Sequence, residues 1–140
     1  MLEEIPQYCF ELEFEVRDYE VDRFDMVNNA VYQNYLEHTR HAFLHTTGIS
    51  VTYLREAGYQ PVVTQADIHY KAPLRSGDRF VAKLGLLKLG KVKFVFVQDL
   101  FRLPDLKWMT HAMISGTVLD PTGRPRLPSQ FYEPLQSFLL

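Results

Sequence analysis

The segment NAVYQNYLEHTRHAFLHTT, residues 29–47, predicts the central element of the fold. At about 100° per residue, its apolar and small side chains fall on one side of a helix and its charged side chains on the other. The apolar stripe consists of Tyr32, Tyr35, Leu36, Thr39, Ala42, Phe43 and Thr46. Asn28 precedes the segment as a candidate N-cap, and Gly48 follows it where a left-handed residue commonly ends a helix. We therefore expect an amphipathic helix about 28 Å long.

On both sides of this helix the hydrophobic pattern has a period of two, which is typical of β-strands with one buried face. The predicted strands cover residues 9–17, 61–70, 80–89, 91–102 and 108–119. A short second helix is predicted at residues 50–57, between two glycines. The tail after Arg124 contains three prolines and is expected to be irregular, with at most a helical turn or two near Phe138.

This order of elements predicts an α+β fold in one domain, residues 1–140. The last three strands are joined by short turns, so they should form an antiparallel meander. The five strands should curl around the long helix, because it is the one element able to cover the apolar face of the sheet. The strand at residues 61–70 carries no charge before Asp67, and its free edge could pair with a second chain. We expect a homodimer or a homotetramer.

Composition and charge exclude several classes of protein. The chain has 140 residues, and its 15 Lys and Arg against 17 Asp and Glu give a net charge of −2, which disfavours nucleic acid as a partner. Cys9 is the only cysteine, so no intramolecular disulfide is possible. No stretch approaches the ~20 apolar residues of a membrane span. The first residues are acidic rather than basic, so a cytoplasmic location is expected, or the plastid stroma if a transit peptide has been removed.

The motifs of most large enzyme classes are absent. The sequence has no G-x-S-x-G nucleophile elbow, no phosphate-binding loop, no dinucleotide glycine pattern and no cysteine spacing for zinc. Glu37, His41 and His45 share one helix face, but that face lies opposite the apolar stripe and is expected to be solvated. We therefore predict no metal site and no cofactor.

The loop before the long helix contains four carboxylates within eight residues, at positions 18–25. Such a loop is usually a solvated acidic segment, favoured by the positive end of the helix. Asp22 differs from the others because it lies between Val21 and Phe24 and its loop leads directly to the unpaired N–H groups of the helix start. A carboxylate beside free N–H donors can supply the base or nucleophile and the oxyanion site of acyl transfer. From the residues alone this remains a hypothesis.

Two segments resemble a known family. The first runs from Val16 to Phe43 and contains DRFDMVNNAVYQNYLEHTR at residues 22–40, and the second is ADIHYKAPLRSGD at residues 66–78. Together with the order of elements, they resemble the hotdog-fold acyl thioesterases of the 4-hydroxybenzoyl-CoA thioesterase group over about residues 9–120. The segments are most similar to the plant and cyanobacterial branch, which acts on fatty acyl or 3-ketoacyl chains carried by acyl carrier protein.

The resemblance implies roles for individual residues. Asp22 matches the catalytic carboxylate, and Asn29 matches the residue whose backbone N–H polarises the thioester carbonyl. Asn28, the first residue of the Asn-Asn pair, would cap the helix and hold the loop. The expected substrate contacts are Tyr32 and Leu36 for the acyl chain, and Lys71 and Arg75 for the phosphates of coenzyme A or an acidic carrier protein.

The sequence departs from the family pattern at Asp25, where many members have glycine. If this position needs a positive φ, aspartate tolerates it better than most residues. Glu37 and Arg40 match the family's E-x-x-R and are expected to form an ion pair. Two other functions compete with hydrolysis: a non-catalytic protein that binds acyl thioesters, and a 3-hydroxyacyl thioester dehydratase. Dehydratases with this fold pair a histidine with a carboxylate, and the loop at residues 18–29 has no histidine.

Overall fold

The computed structural model describes residues 7–140 of the chain. The strands are β1 (Phe10–Glu15), β2 (Gln60–Tyr70), β3 (Arg79–Leu89), β4 (Lys93–Leu103) and β5 (Trp108–Leu119). The helices are α1 (Asn29–Thr46), α2 (Val51–Glu56) and α3 (Ser129–Leu135), with short 3₁₀ turns at Asp18–Glu20 and Gln136–Phe138. The predicted α+β architecture is confirmed. Within residues 7–140, none of the helices has the length and apolar character needed to cross a bilayer.

The five strands form one antiparallel sheet in the order β1-β3-β4-β5-β2. The meander of β3, β4 and β5 forms as predicted, because the turns between these strands are short. β1 pairs with β3 at one edge, and β2 pairs with β5 at the other. The helix α1 therefore leaves β1, runs across the face of the sheet, and returns the chain to the opposite edge.

The start, end and buried face of α1 agree with the sequence pattern. The Asn28 side chain accepts a hydrogen bond from the Ala30 N–H at 3.0 Å, and Gly48 has a φ of +86°. The buried residues of α1 are Tyr32, Tyr35, Leu36, Thr39 and Phe43, all members of the predicted stripe. Aromatic rings fix this face: Phe80 of β3 lies 4.9 Å from Tyr35 and 5.0 Å from Phe14, between ring centroids. These contacts hold the N-terminal half of α1 against β1 and β3.

The strand β2 is more exposed than its sequence pattern suggested. Alternation predicted one buried face, yet only Val62 and Ile68 are even half-buried. The pairing with β5 shifts between Val63 and Gln65, and β2 has no strand on its other side within the described chain. The side chains of an edge strand are buried only where other elements cover them. Within the described chain, too few residues pack on β2 to bury it.

The tail contains a helix that the sequence analysis missed. α3 covers Ser129–Leu135 although Pro134 lies inside it. Phe131 and Leu135 are buried, and the Phe131 ring lies 5.2 Å from that of Phe94 in β4. The prediction of an irregular tail was wrong because burial of these two side chains against the sheet outweighs the local preference of a proline-containing segment.

Candidate active site

The carboxylate of Asp22 is held at one oxygen by its own loop. Its Oδ1 accepts hydrogen bonds from the Phe24 N–H at 2.8 Å and the Met26 N–H at 3.2 Å, and the Asp22 N–H donates to the Met26 carbonyl at 2.7 Å. Asp22 is exposed, and its Oδ2 has no hydrogen-bond partner among residues 7–140. The carboxylate is therefore fixed at Oδ1 and available at Oδ2.

The first turn of α1 leaves one backbone donor unused. The Asn28 side chain accepts from the Ala30 N–H, and the Asn28 carbonyl accepts from the Val31 N–H at 2.9 Å. The N–H of Asn29 has no acceptor within the described part of the chain. A free N–H at a helix N-terminus is a partial positive charge, strengthened by the helix dipole. The loop thus ends at a site that favours negative charge.

The loop is attached to the turn that joins β2 to β3. The Val27 N–H donates to the Leu74 carbonyl at 2.9 Å, and the Ser76 N–H donates to Asp25 Oδ1 at 3.2 Å. Arg75 Nη1 lies 3.4 Å from the carbonyl oxygens of both Phe24 and Asp25. All four contacts join segments about 50 residues apart in the chain, so the turn at residues 74–78 supports the loop.

Two buried tyrosines of α1 hydrogen-bond to the loop and to the turn that supports it. The Tyr32 hydroxyl accepts a hydrogen bond from the Leu74 N–H at 3.0 Å, and the Tyr35 hydroxyl donates to Glu20 Oε1 at 3.1 Å. Burial raises the pKa of the Tyr32 hydroxyl. Burial also raises the pKa of Tyr35, and the neighbouring Glu20 raises it further. Tyr35 therefore connects α1 to the loop at Glu20, and Tyr32 connects α1 to the turn at Leu74.

A cavity of about 340 Å³ lies beside α1, between this helix, β2 and β5. Its apolar lining includes Leu36, Leu44, Ile68, Phe96, Ile114 and Phe131. Of the two residues expected to contact an acyl chain, Leu36 lines the cavity and Tyr32 does not. Asp22 and Asn29 do not line it either, but Gln33, one helical turn beyond Asn29, does. The cavity therefore begins about one turn from the free N–H.

Arg40 contacts β4 instead of Glu37. Its Nη1 donates to Gln98 Oε1 at 3.1 Å, and Gln98 Nε2 in turn donates to the Leu36 carbonyl at 3.0 Å. Burial lowers the pKa of the Arg40 guanidinium. Glu37 lies instead 3.7 Å from His41 Nε2, so the expected Glu37–Arg40 ion pair is wrong. Helical spacing allows a Glu37–Arg40 pair, but Arg40 instead hydrogen-bonds to the buried Gln98 side chain in the sheet.

The cations expected at the mouth of the site are both exposed. Arg75 contacts the loop as described, and Lys71 at the end of β2 places its Nζ 4.1 Å from the centre of the Trp108 ring. Arg79, the first residue of β3, is paired with Glu13 of β1. Lys71 and Arg75 therefore remain available to a phosphate or a carboxylate in solution. Within residues 7–140, no group of three or more His, Cys, Asp and Glu side chains is arranged to hold a metal ion.

A second polar cluster, which the sequence analysis missed, surrounds Asp99 in β4. Asp99 is 1% exposed and accepts hydrogen bonds from the Tyr8 hydroxyl at 2.7 Å, Trp108 Nε1 at 2.8 Å and His111 Nδ1 at 2.7 Å. Burial and Asp99 together raise the pKa of Tyr8. Because the preceding residue, Gln98, reaches α1, Asp99 lies on the opposite face of the sheet. The single hint in the sequence is a Gln-Asp pair inside an apolar strand.

Replacing Asp99 with leucine should lower the free energy of unfolding by about 3 kcal/mol, because three donors would lose their acceptor. Urea denaturation measures this change. Asp67 is an exposed carboxylate on the edge strand β2, and Asp67→Leu should change stability by less than about 0.5 kcal/mol. Equal stability of the two variants would show that the Asp99 cluster does not stabilise the sheet.

Comparison with known proteins identifies the family to which this chain belongs. A family model described as the thioesterase-like superfamily matches residues 16–135. The chain belongs to this superfamily. It is 41% identical over 120 residues to the chloroplastic acyl-acyl carrier protein thioesterase ATL2 of Arabidopsis thaliana, covering 85% of this chain and 64% of that protein. It is 37% identical over 130 residues to ATL3, a protein of the same description from the same plant, covering 92% of this chain and 68% of ATL3.

This member of the thioesterase-like superfamily also shares its fold with a solved structure. A 1,4-dihydroxy-2-naphthoyl-CoA thioesterase from Synechocystis superposes with a TM-score of 0.82, covers 93% of this chain and 94% of its own, and is 17% identical in sequence. At this identity the match shows the fold alone. The prediction of a hotdog fold, with a five-stranded antiparallel sheet and one long helix, is confirmed.

One departure from the superfamily pattern is now explained. Asp25 occupies the position where glycine was expected, and its φ is +60°. The sequence left open whether this position needs a positive φ, and the structure shows that it adopts one. Aspartate reaches this conformation at lower cost than most other side-chain-bearing residues, so the loop keeps the required path.

Proposed function

We propose that this protein hydrolyses fatty acyl or 3-ketoacyl thioesters of acyl carrier protein or coenzyme A. Two observations carry the proposal: the Asp22 carboxylate in the loop before α1 has a free Oδ2, and the N–H of Asn29 at the start of α1 has no partner among the described residues. The named activities of the two Arabidopsis relatives support the same substrate class. Their chloroplastic names support a plastid location over a cytoplasmic one.

The proposed reaction uses both groups on one carbonyl. The thioester oxygen accepts the Asn29 N–H, which stabilises the negative charge that forms as the carbonyl carbon becomes tetrahedral. In the first form of the reaction, Asp22 Oδ2 takes a proton from a water molecule while that water attacks the same carbon, and Asp22 gives this proton to the thiolate as the C–S bond breaks. In the second form, Oδ2 attacks the carbon itself, and the C–S bond breaks to leave a thiolate and an acyl anhydride on Asp22. Water then hydrolyses the anhydride, which releases the acid, restores the Asp22 carboxylate and supplies the proton that the thiolate takes up. Asn28 contributes by capping the helix and keeping the loop in register.

The expected energies are large enough to matter for catalysis. One oxyanion donor contributes about 3 to 4 kcal/mol in other enzymes. General-base assistance contributes about 100- to 10,000-fold. In this proposal the two groups together supply a substantial share of the rate enhancement of a thioesterase. Both groups belong to this chain.

The acyl chain is proposed to occupy the cavity beside α1. The cavity follows the helix over the twelve residues from Gln33 to Leu44, a rise of about 16 Å, with Leu36 in its wall. Tyr32 does not line this cavity, and we propose that it supports the loop through its hydrogen bond to Leu74 in the neighbouring turn. Lys71 and Arg75 are proposed to meet the phosphates of coenzyme A or the acidic face of acyl carrier protein.

The protein is proposed to act as a homodimer or a homotetramer. β2 has eleven residues and an unpaired edge within the described chain. Val63 and Tyr70 on this strand are 54% and 46% exposed, which is high for large apolar side chains. Pairing of two β2 strands would satisfy the free backbone groups and cover these side chains.

The proposal predicts that activity rises with acyl chain length. Each methylene buried in the cavity contributes about 0.8 kcal/mol, or roughly fourfold in kcat/KM, until the cavity is filled. Thiol release from coenzyme A and carrier protein thioesters of increasing chain length measures this dependence. Gln33→Trp should remove the gain for long chains by blocking the cavity entrance, whereas Asn34→Trp should not, since Asn34 is exposed and does not line the cavity.

Other outcomes of the same assay identify the competing functions. Saturable binding of acyl thioesters without thiol release would show a non-catalytic binding protein. Hydration of 2-enoyl thioesters without thiol release would show a dehydratase. A rate independent of chain length, unchanged in Gln33→Trp, would contradict the placement of the acyl chain in this cavity.

A further inference from the structure

We propose that Asp25 is a positioning residue for the hydrolysis described above. Its carboxylate ties the apex of the Asp22 loop to the turn between β2 and β3, through the Ser76 N–H. This tether fixes the direction in which Asp22 presents its free oxygen. The inference rests on the proposed function and assigns a role to the residue that stands where glycine was expected.

Asp25 lies inside the turn that Asp22 organises. The two N–H groups that bind Asp22 Oδ1 belong to Phe24 and Met26, the residues on either side of Asp25. The Asp25 N–H itself donates to the Asp22 carbonyl at 3.0 Å. Any movement of Asp25 therefore moves both donors that hold the Asp22 carboxylate. Glycine would adopt the φ of +60° more freely, but it would leave this apex without a side-chain tether.

The turn that receives the tether is itself well fixed. The Asp78 N–H donates to the Arg75 carbonyl at 3.0 Å, and Asp78 Oδ2 accepts from the Arg75 N–H at 2.9 Å. The Gly77 N–H donates to the carbonyl of Val16, a buried residue just after β1, at 3.0 Å. The Ser76 N–H is thus held by the sheet and points at Asp25. A bond to an ionised carboxylate is stronger than one between neutral groups.

The other contacts between loop and turn cannot replace this one. The Val27–Leu74 bond lies at the start of α1, beyond the apex of the loop. The two Arg75 contacts are longer, at 3.4 Å, and come from a flexible exposed side chain. The Asp25–Ser76 bond is the shortest contact that reaches the apex. Losing it should increase the movement of Asp22 without changing the cavity or the cations that bind substrate.

The test removes each partner of the bond separately. Asp25→Gly keeps the positive φ and removes the acceptor. Ser76→Pro removes the donor, and proline suits this site because Ser76 is the first central residue of a turn whose second central residue, Gly77, has a φ of +82°. The matched controls are Asp25→Asn, which keeps an oxygen acceptor and tolerates positive φ, and Ser76→Ala, which keeps the N–H.

Asp25→Gly and Ser76→Pro should each lower kcat by about tenfold, with KM changed by less than about twofold, because only the geometry of Asp22 is affected. The double variant should be no slower than either single variant, since both remove one bond. Ser76→Ala should retain the wild-type kcat, and Asp25→Asn, which keeps a weaker neutral acceptor, should lose less than about threefold. Wild-type turnover in Asp25→Gly or Ser76→Pro, or a double variant slower by the product of the two losses, would overturn the proposal.

A second readout does not depend on activity. Amide hydrogen exchange reports the bonds from Phe24 and Met26 to Asp22 Oδ1 directly. Their protection should fall in Asp25→Gly and Ser76→Pro and persist in the two controls. Absence of thiol release from the wild-type protein would overturn the proposed function, while unchanged protection in both test variants would overturn the tether.

Discussion

Asp22→Asn should lower the turnover of acyl thioesters by about 100- to 10,000-fold while the protein remains folded. The asparagine oxygen can still accept the N–H groups of Phe24 and Met26, which bind Oδ1 in the native loop. The second oxygen, however, becomes an amide nitrogen that can neither remove a proton from water nor attack a carbonyl. The measurement is kcat for thiol release, with circular dichroism to check that the fold is retained.

Asp18 provides the matched control for this variant. It is an exposed carboxylate in the same loop, and its side chain has no hydrogen bond within the described residues. Asp18→Asn changes the charge of the loop by the same amount and should leave kcat unchanged. If Asp22→Asn hydrolyses acyl thioesters at the wild-type rate, or if Asp18→Asn loses as much activity, Asp22 is not the catalytic carboxylate.

The parts of the fold that local spacing determines could be predicted from the sequence. The buried stripe of α1 follows from helical spacing, and its ends follow from the capping preference of Asn28 and the left-handed conformation of Gly48. The meander followed from short turns between period-two segments. In each case, the information lies within a few residues of the structure that it specifies.

The parts that depend on distant contacts could not be predicted in this way. α3 forms because Phe131 packs against Phe94, and Arg40 points at the sheet because Gln98 is there. β2 alternates like a strand with a buried face, yet its burial depends on what covers the edge of the sheet. Periodicity gives the type of an element but not its neighbours.

The candidate site also has features that local sequence could predict and features that depend on distant contacts. The candidate roles of Asp22 and Asn29 came from a short segment and its family resemblance, which also singled out Asp25 as the position where a positive φ would matter. The bond from Ser76 to Asp25, which joins residues 51 apart, and the cavity beside α1 did not. The Asp99 cluster also escaped prediction, because its donors come from β5 and from Tyr8, which is 91 residues away in the chain.

Asn29→Pro should lower kcat by about 100- to 1,000-fold, the effect of removing one oxyanion donor. Asn29 is the first residue of α1, where proline is well tolerated because that N–H has no partner within the helix. Asn28 has φ −63° and ψ 140°, the extended conformation that a residue before proline prefers. The substitution therefore deletes one N–H and should preserve the helix, as circular dichroism can verify.

The central claim is tested most directly by single-turnover thiol release from one acyl thioester with Asn29→Pro and Asn29→Ala side by side. Alanine removes the same side chain but keeps the backbone N–H. We expect Asn29→Ala to match the wild-type protein and Asn29→Pro to be slower by at least about 100-fold. Equal rates for the two variants would contradict the account, because thioester hydrolysis would then not depend on the free N–H at the start of α1.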